Sequence, residues 1–443
     1  ASTSLLEVMR RSGARALDWD AIATFFAVGN YVGEETPFAG IRSLSPSAQL
    51  TWNCGAIAEV TRPSFPSPPA FNGTEAEARR IYAEMFSKAV ECRLPDDPAD
   101  IVVPLSGGRD SRHIALEIAA QQKRPFKLLT IRCEFGPNDE DVRVAGLVAE
   151  RLKSPHTVID IDWDNYIERE RQKNFNTHFL VHVDHHSMFE MSMSNEVENA
   201  CVFFGTGGDI LIGDTDFSAA TEALLSAGKF EEVAEAILTN YKRPAWFRAQ
   251  GSGRLDRNWA KKNLARFLGS VPKSTNMFRD YALLGRQARN TALVPFDLMM
   301  RQNRVATPFL DIDLLAFQRS LPADPFGPYG IHDEIIAESY PQYADIEYEI
   351  RRLTQAPLRE RRWATLKSVW RNFDFADARF RRNISQTFFW PRMIKASIGQ
   401  GIEEMWWLKK MIYLLDLIHF SEDPDAAFAA AEARHSRLSR PRP

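Results

Sequence analysis

The chain has 443 residues, enough for two or three domains, and its 44% hydrophobic and 26% charged residues are those of a folded globular protein. A net charge of −3 and a sequence pI of about 6.4 exclude a global positive field that would gather nucleic acid or anionic lipid, so any phosphate must be bound locally. Cys54, Cys92, Cys133 and Cys201 form no C-x-x-C pair, and Ala1 to Asp18 is charged throughout, unlike a signal peptide. These features predict buried free thiols and a cytoplasmic setting.

In chain order, the first fifty residues predict a helix around Trp19 to Val28, then turns from Gly29 to Phe38, then alternation in Gln49 to Trp52. Four prolines between Pro63 and Pro69 read as a linker. Thr74-x-x-Glu77 is a capping box that starts a helix through Cys92, with Ile81, Met85 and Val90 on its apolar face. Strand and helix then alternate: strand Ile101 to Leu105, helix Ser111 to Gln122, strand Lys127 to Ile131, helix Glu140 to Leu152, strand His156 to Ile161. That succession predicts an α/β fold with a parallel, doubly wound sheet. From Ala219 onward the chain reads as helical. The apolar stretch Met405 to Phe420 is interrupted by Lys409, Lys410 and Asp416, which excludes a membrane span and leaves a packed helix, a homodimer contact or a membrane-surface helix.

The most informative string is Ser106-Gly107-Gly108-Arg109-Asp110-Ser111, set between a strand end and a helix start. Two glycines let the backbone curl so that successive N–H groups face one anion, and the helix N-terminus adds a favourable dipole. Ser106 and Ser111 offer hydroxyl donors, and Asp110 can hold a magnesium ion against the same phosphates. The plainer alternative is a serine-glycine turn capped by Asp110.

This string resembles the PP-loop S-G-G-x-D-S of enzymes that cleave ATP between its α and β phosphates. Three further segments resemble the asparagine synthetase branch. Phe204 to Gly213 is similar to its second glycine-rich loop, S-G-x-G-x-D-E-x-F-G-G; Arg304 to Asp311 is similar to its R-V-P-F-L-D segment; Gly33 to Pro46 looks like the end of its glutaminase domain. The resemblance implies that Ser106, Gly107, Gly108 and Ser111 take pyrophosphate, with Gly205, Thr206 and Gly207 in the opposing loop. It implies that Asp110 and Asp209 hold Mg2+, and that the strand containing Leu129 and Ile131 lines the adenine and ribose of ATP. Asp141 matches an acidic position of the family, with helix capping as its expected role. The expected divisions are 1–62 for the glutaminase-like remnant, 63–73 for the linker, 74–345 for the ATP-binding domain and 346–443 for a helical region.

The sequence also departs from that pattern. The chain begins with Ala1, so the family's N-terminal cysteine nucleophile is not expected. The nitrogen source is then ammonia, an amine or a separate nitrogen-donating protein, unless a front end has been removed. Thr206 stands where the family places a glutamate, and Ile210 replaces the acid after the aspartate. The lysine of its K-x-x-L-R segment falls on His332. That substitution requires either a His332 protonated through Asp333 or Glu334, or positive charge from Arg109 and Arg112. His178, His182, His185 and His186 crowd one segment. His178 and His182 stand at the helical spacing of a zinc site, packing histidines are the plainer reading, and His185 or His186 could deprotonate an attacking amine.

The expected function is adenylation of a small-molecule or peptide carboxylate and amide formation. The alternative is a catalytically impaired nucleotide-binding homologue acting as a regulator or scaffold.

Overall fold

The computed structural model describes the chain apart from residues 1, 3, 46–47, 54, 62–67, 98–99, 122–123, 133–138, 163–164, 182–192, 194–195, 209–218, 240–245, 248–254, 272–276, 292–294, 297–298, 301–302, 322–329, 350–362, 364–365, 372, 401–406 and 431–443. Helices α1 (Leu5–Ser12) and α2 (Trp19–Val28) precede an antiparallel hairpin of β1 (Gln49–Asn53) and β2 (Ala56–Thr61). Helix α3 (Glu75–Glu91) begins with the expected capping box, in which Thr74 and Glu77 satisfy each other's backbone amides. Its buried line is Ala78, Tyr82, Phe86, Ala89 and Val90, whereas Ile81 and Met85 are only partly covered. The larger aromatic rings take the core face.

Strands β3 (Asp100–Pro104), β4 (Lys127–Arg132) and β5 (His156–Asp160) alternate with helices α4 (Asp110–Gln121) and α5 (Glu140–Leu152), as the sequence predicts. Two short strands that sequence reading left unassigned, β6 (Ala200–Phe203) and β7 (Arg304–Ala306), complete the sheet. All pairings are parallel, in the order β5-β4-β3-β6-β7. Side chains alternate between two cores: Ile101, Val103, Leu128 and Phe203 face one, while Val102, Leu129, Ile131 and Val202 face the other. The fold is α/β with a mostly helical C-terminal half.

The strand order fixes where a ligand can enter. From β3 the chain runs outward through β4 to β5 and then returns to the other side of β3 as β6. A crevice therefore opens between the carboxyl ends of β3 and β6, the topological switch point at which open α/β sheets bind ligands.

Beyond α6 (Tyr166–Asn176) the described elements are helical except for β6 and β7, among them α7 (Ala219–Ser226), α8 (Phe230–Ile237), α9 (Arg257–Ser270), α10 (Met277–Tyr281), α11 (Ile312–Ser320), α12 (Gly330–Ser339), α13 (Ala378–Asn383), α14 (Gln386–Ser397) and α15 (Trp407–Glu422). Residues 5–41 share one hydrophobic core with α6, α9, α14 and α15. Tyr31 and Tyr413 join hydroxyls at 2.7 Å inside it. Helix α15 is a packed core element. Its Asp416 lies 3.4 Å from Arg171, and Lys410 donates to the Phe26 carbonyl at 2.8 Å. Among the described residues, no helix is long and apolar enough to cross a membrane. Cys201 is buried, but Cys92 is exposed at the end of α3, contrary to the expectation of buried thiols throughout; Cys54 and Cys133 lie outside the described residues.

Candidate functional site

Two glycine-rich loops meet at the switch point. The first leaves β3 at Pro104, which cannot continue the ladder as a donor, and turns through Ser106–Arg109 into α4. The Ser106 amide donates to Ser111 Oγ at 2.9 Å, the two hydroxyls lie 3.0 Å apart, and the Gly108 amide donates to Ser106 Oγ at 3.2 Å. The Gly107 amide donates to Asp141 Oδ1 at 2.5 Å. Asp139, not Asp141, caps α5 by accepting from the Val142 amide. Asp141 is thus freed to reach the loop, which corrects the capping role expected of it.

The second loop follows β6. Gly205 and Gly208 close a turn through a 3.1 Å amide-to-carbonyl bond, and Gly207 adopts φ +96°, a conformation that glycine tolerates without steric cost. A Cβ on Gly205 would lie 2.9 Å from Asp110 Cβ, and one on Gly208 would overlap the Asp110 carboxylate. The two loops approach backbone to side chain, with Asp110 between them. Thr206 is half-buried in this turn, while Asp209 falls outside the described residues.

Arginines brace the first loop. Arg112, 2% exposed, donates to the carbonyls of Ile346 at 2.7 Å, Glu347 at 2.8 Å and Gly107 at 3.4 Å. Burial pushes its guanidinium below the usual range. It is a buried brace and not the supplier of positive charge to the phosphates that the sequence suggested. Arg109 forms a two-pronged pair with Asp333 through Nε and Nη2. Both guanidinium groups lie against the Tyr348 ring, at 4.3 Å for Arg109 and 4.1 Å for Arg112. The Glu349 amide donates to the Gly107 carbonyl at 3.0 Å, so residues 346–349 lie directly on the loop.

His332 is fully buried on α12, and burial, reinforced by the positive charge of Arg109, pushes its imidazole down to about 3. Asp333 is engaged by Arg109, and Glu334 by Arg79 at 2.7 Å. The expectation of a protonated His332 standing in for a lysine is therefore corrected: burial keeps the ring neutral. Instead it faces His113, at 3.0 Å between Nε2 and Nδ1, and approaches Asp110 Oδ1 at 3.6 Å. Leu129 and Ile131 lie on the sheet face that they share with Val102, Val202 and Ile159, almost covered.

Of the histidine cluster, His178 is among the described residues. Helix α6 ends at Asn176, and His178 follows it in a left-handed conformation with φ 50°. His182, His185 and His186 lie outside the described residues. Among the described residues, no group of three or more His, Cys, Asp or Glu side chains could hold a metal. An open cleft of about 610 Å³ between α5 and residues 345–347 is lined by Arg143, Arg151, Asp345 and their neighbours; it includes none of the loop residues.

Sequence reasoning missed His113, Asp141 as a loop partner, Tyr348 and Glu349. His113 stands three residues after Asp110, a spacing that places both on one face of α4 and could have found it. The contacts of Tyr348 and Glu349 span more than 230 residues and leave no local signal.

The donor set suits a nucleotide with a hard cation. A loop amide points at an anionic carboxylate oxygen, and the second loop leaves room for nothing larger than glycine beside the Asp110 carboxylate. No curated protein matches the chain. The profile of the asparagine synthase family matches residues 82–325, just over half the chain, and this stretch contains both loops and the Arg304 to Asp311 segment. The chain belongs to the asparagine synthase family, whose members are ATP-dependent synthetases.

Proposed function

We propose that this chain is an AMP-forming ligase that adenylates a carboxylate and passes the acyl group to ammonia or an amine. One observation carries the reading: two glycine-rich loops meet at the switch point, within the stretch the family matches, with the Gly208 backbone against the Asp110 carboxylate. The amides of Gly107 and Gly108 and the hydroxyls of Ser106 and Ser111 bind the pyrophosphate part of ATP. A phosphate oxygen takes the place of Asp141 Oδ1 on the Gly107 amide. Strand β4 at Leu129 and Ile131 borders the adenine, and Gly205, Thr206 and Gly207 close the opposite wall.

Asp110 with Asp209 would hold Mg2+, which supplies positive charge against the leaving pyrophosphate. A carboxylate oxygen of the substrate attacks the α-phosphorus. The bond to the bridging oxygen breaks, and pyrophosphate leaves with the electron pair. The amine lone pair then attacks the acyl carbon, AMP departs, and the nitrogen gives up a proton to a base, for which His185 and His186 are the candidates. Arg109 joins the phosphates only by leaving Asp333. Nitrogen arrives as ammonia, as an amine or from a separate protein, and residues 1–62 correspond to the end of a glutaminase domain. The setting is the cytoplasm.

Pyrophosphate–ATP exchange across a panel of carboxylic acids tests this. Exchange with at least one acid, with AMP as the nucleotide product when hydroxylamine is the acceptor, is the expected outcome. Production of ADP would sink the reading.

A second reading is favoured by the neutral, buried His332 at the position of the family's lysine. It is a nucleotide-binding homologue with impaired chemistry, serving as a regulator or scaffold. Tight ATP binding without exchange or AMP formation for any acid selects it.

A further inference from the structure

Beneath the junction of the loops, three side chains from α4 and α12 form a line. Asp110 opens α4, His113 stands one turn later on the same helix, and His332 comes from α12. His332 Nδ1 lies 3.6 Å from Asp110 Oδ1, and His332 Nε2 lies 3.0 Å from His113 Nδ1. Both imidazoles are 0% exposed. The His113 ring packs on Phe86 at 3.9 Å between centroids, and Phe309 and Tyr82 close around the pair. Nothing in the adenylation scheme above uses either ring.

The placement decides which nitrogen carries which proton. Each ring is fully enclosed among aromatic side chains, where an imidazole carries one N–H and one lone pair. A single proton serves the contact between His113 and His332. If His332 Nε2 held it, the lone pair of His332 Nδ1 would face a carboxylate, and His113 would bury an N–H at Nε2, an atom with no hydrogen-bond partner. If His113 Nδ1 holds it, the remaining proton of His332 sits on Nδ1 and points at Asp110. That arrangement turns a repulsion into an attraction, leaves a lone pair and not a donor at His113 Nε2, and aims the His332 Nδ1–H, which makes no hydrogen bond, at the carboxylate. The 3.6 Å separation exceeds a hydrogen bond, so the ring acts as an oriented dipole on the carboxylate.

We infer that His332, oriented by His113, is a positioning residue that holds the Asp110 carboxylate against the Gly208 backbone for a divalent cation. Gly208 bounds the carboxylate on one side, where a Cβ would overlap it, and His332 approaches it from the protein interior. A partner behind a metal-binding carboxylate fixes its orientation, and losing such a partner commonly costs about 10–100-fold in metal affinity. This inference rests on the reading of the loops as a site for metal-bound ATP.

The test is a Mn2+ titration in the presence of ATP, with free Mn2+ counted by electron paramagnetic resonance, alongside melting temperatures. Wild-type protein is expected to take up Mn2+ with ATP, and H332L to lose about 10–100-fold in Mn2+ affinity. H332N, whose amide N–H2 stands close to the former Nδ1–H, is expected to stay within about threefold of wild type. H113F, which frees the His332 ring to turn, is expected to fall between them; should H332L fail to fold, H332N and H113F decide. Unchanged affinity in H332L or in H113F overturns the relay alone. So does an H332N that loses as much affinity as H332L, since a purely packing role predicts that. Absence of Mn2+ uptake with ATP by wild type overturns both the relay and the reading beneath it.

Discussion

The Gly107 amide donates to the Asp141 carboxylate at 2.5 Å, so a carboxylate oxygen sits on a backbone amide of the loop. The anion-facing curl is thus contacted from α5 by a carboxylate. The same glycine is hemmed in, because a Cβ there would lie 2.8 Å from Glu349 Cβ and 3.2 Å from Asp141 Oδ1. Gly107→Ala is expected to lift residues 346–349 from the loop. Hydrogen exchange should show faster exchange of the Glu349 amide, which donates to the Gly107 carbonyl. Unchanged protection there would contradict the packing.

Arg112 holds the same segment from the other side. Arg112→Met leaves the Ile346 and Glu347 carbonyls without their charged donor, at a cost on the order of 2–4 kcal/mol. Arg112→Lys is expected to recover little, because an ammonium cannot serve several carbonyls in the fixed fork of a guanidinium. Thermal melting of both variants checks this, and a Lys variant as stable as wild type would refute it.

The two classes of glycine should behave oppositely. Gly208→Ala drives a methyl into the Asp110 carboxylate and is expected to abolish metal-dependent ATP binding. Gly146, within α5, has open space where its Cβ would stand, and Gly146→Ala is expected to stabilise the fold by roughly 0.5–1 kcal/mol with binding intact. Calorimetric titration with ATP and melting curves for the pair decide the matter.

Lys410 gives a pH signature. Burial pushes its ammonium down to about 8 from the ordinary 10.5 while it donates to the Phe26 carbonyl. Below pH 8 both native and unfolded chains carry the proton, and the penalty of the buried charge is fully present. Between about pH 8 and 10.5 the unfolded chain binds a proton that the native chain has released, so this residue makes stability rise with pH, by roughly 3 kcal/mol across the window. Lys410→Met should lack that rise in denaturant titrations at successive pH values. Identical slopes for the two proteins would refute the assignment.

Local signals carried the elements around the site. The capping box at Thr74, the glycines of the first loop and the apolar runs of β3 and β4 depend on neighbours a few residues away, and each lies where the sequence places it. Strands β6 and β7 have only four and three residues, too short for a period to show. The roles of Arg112 and His332 were misread because charge and spacing alone do not reveal burial. The partners that bury or engage them, Ile346 for Arg112 and His113 for His332, lie more than two hundred residues away. Asp141 was read as a cap because capping is the commoner use of an acid in a first turn; Asp139, two residues earlier, takes that place.

The central claim is that the curl from Ser106 to Ser111 grips the phosphates of ATP. Calorimetric titration of metal-bound ATP into wild type and Ser106→Ala, with matched melting temperatures, tests it most directly. Loss of one hydroxyl contact to a charged phosphate should weaken binding by about 10–100-fold. Equal affinity in the two proteins, or no binding by the wild type, would contradict the account.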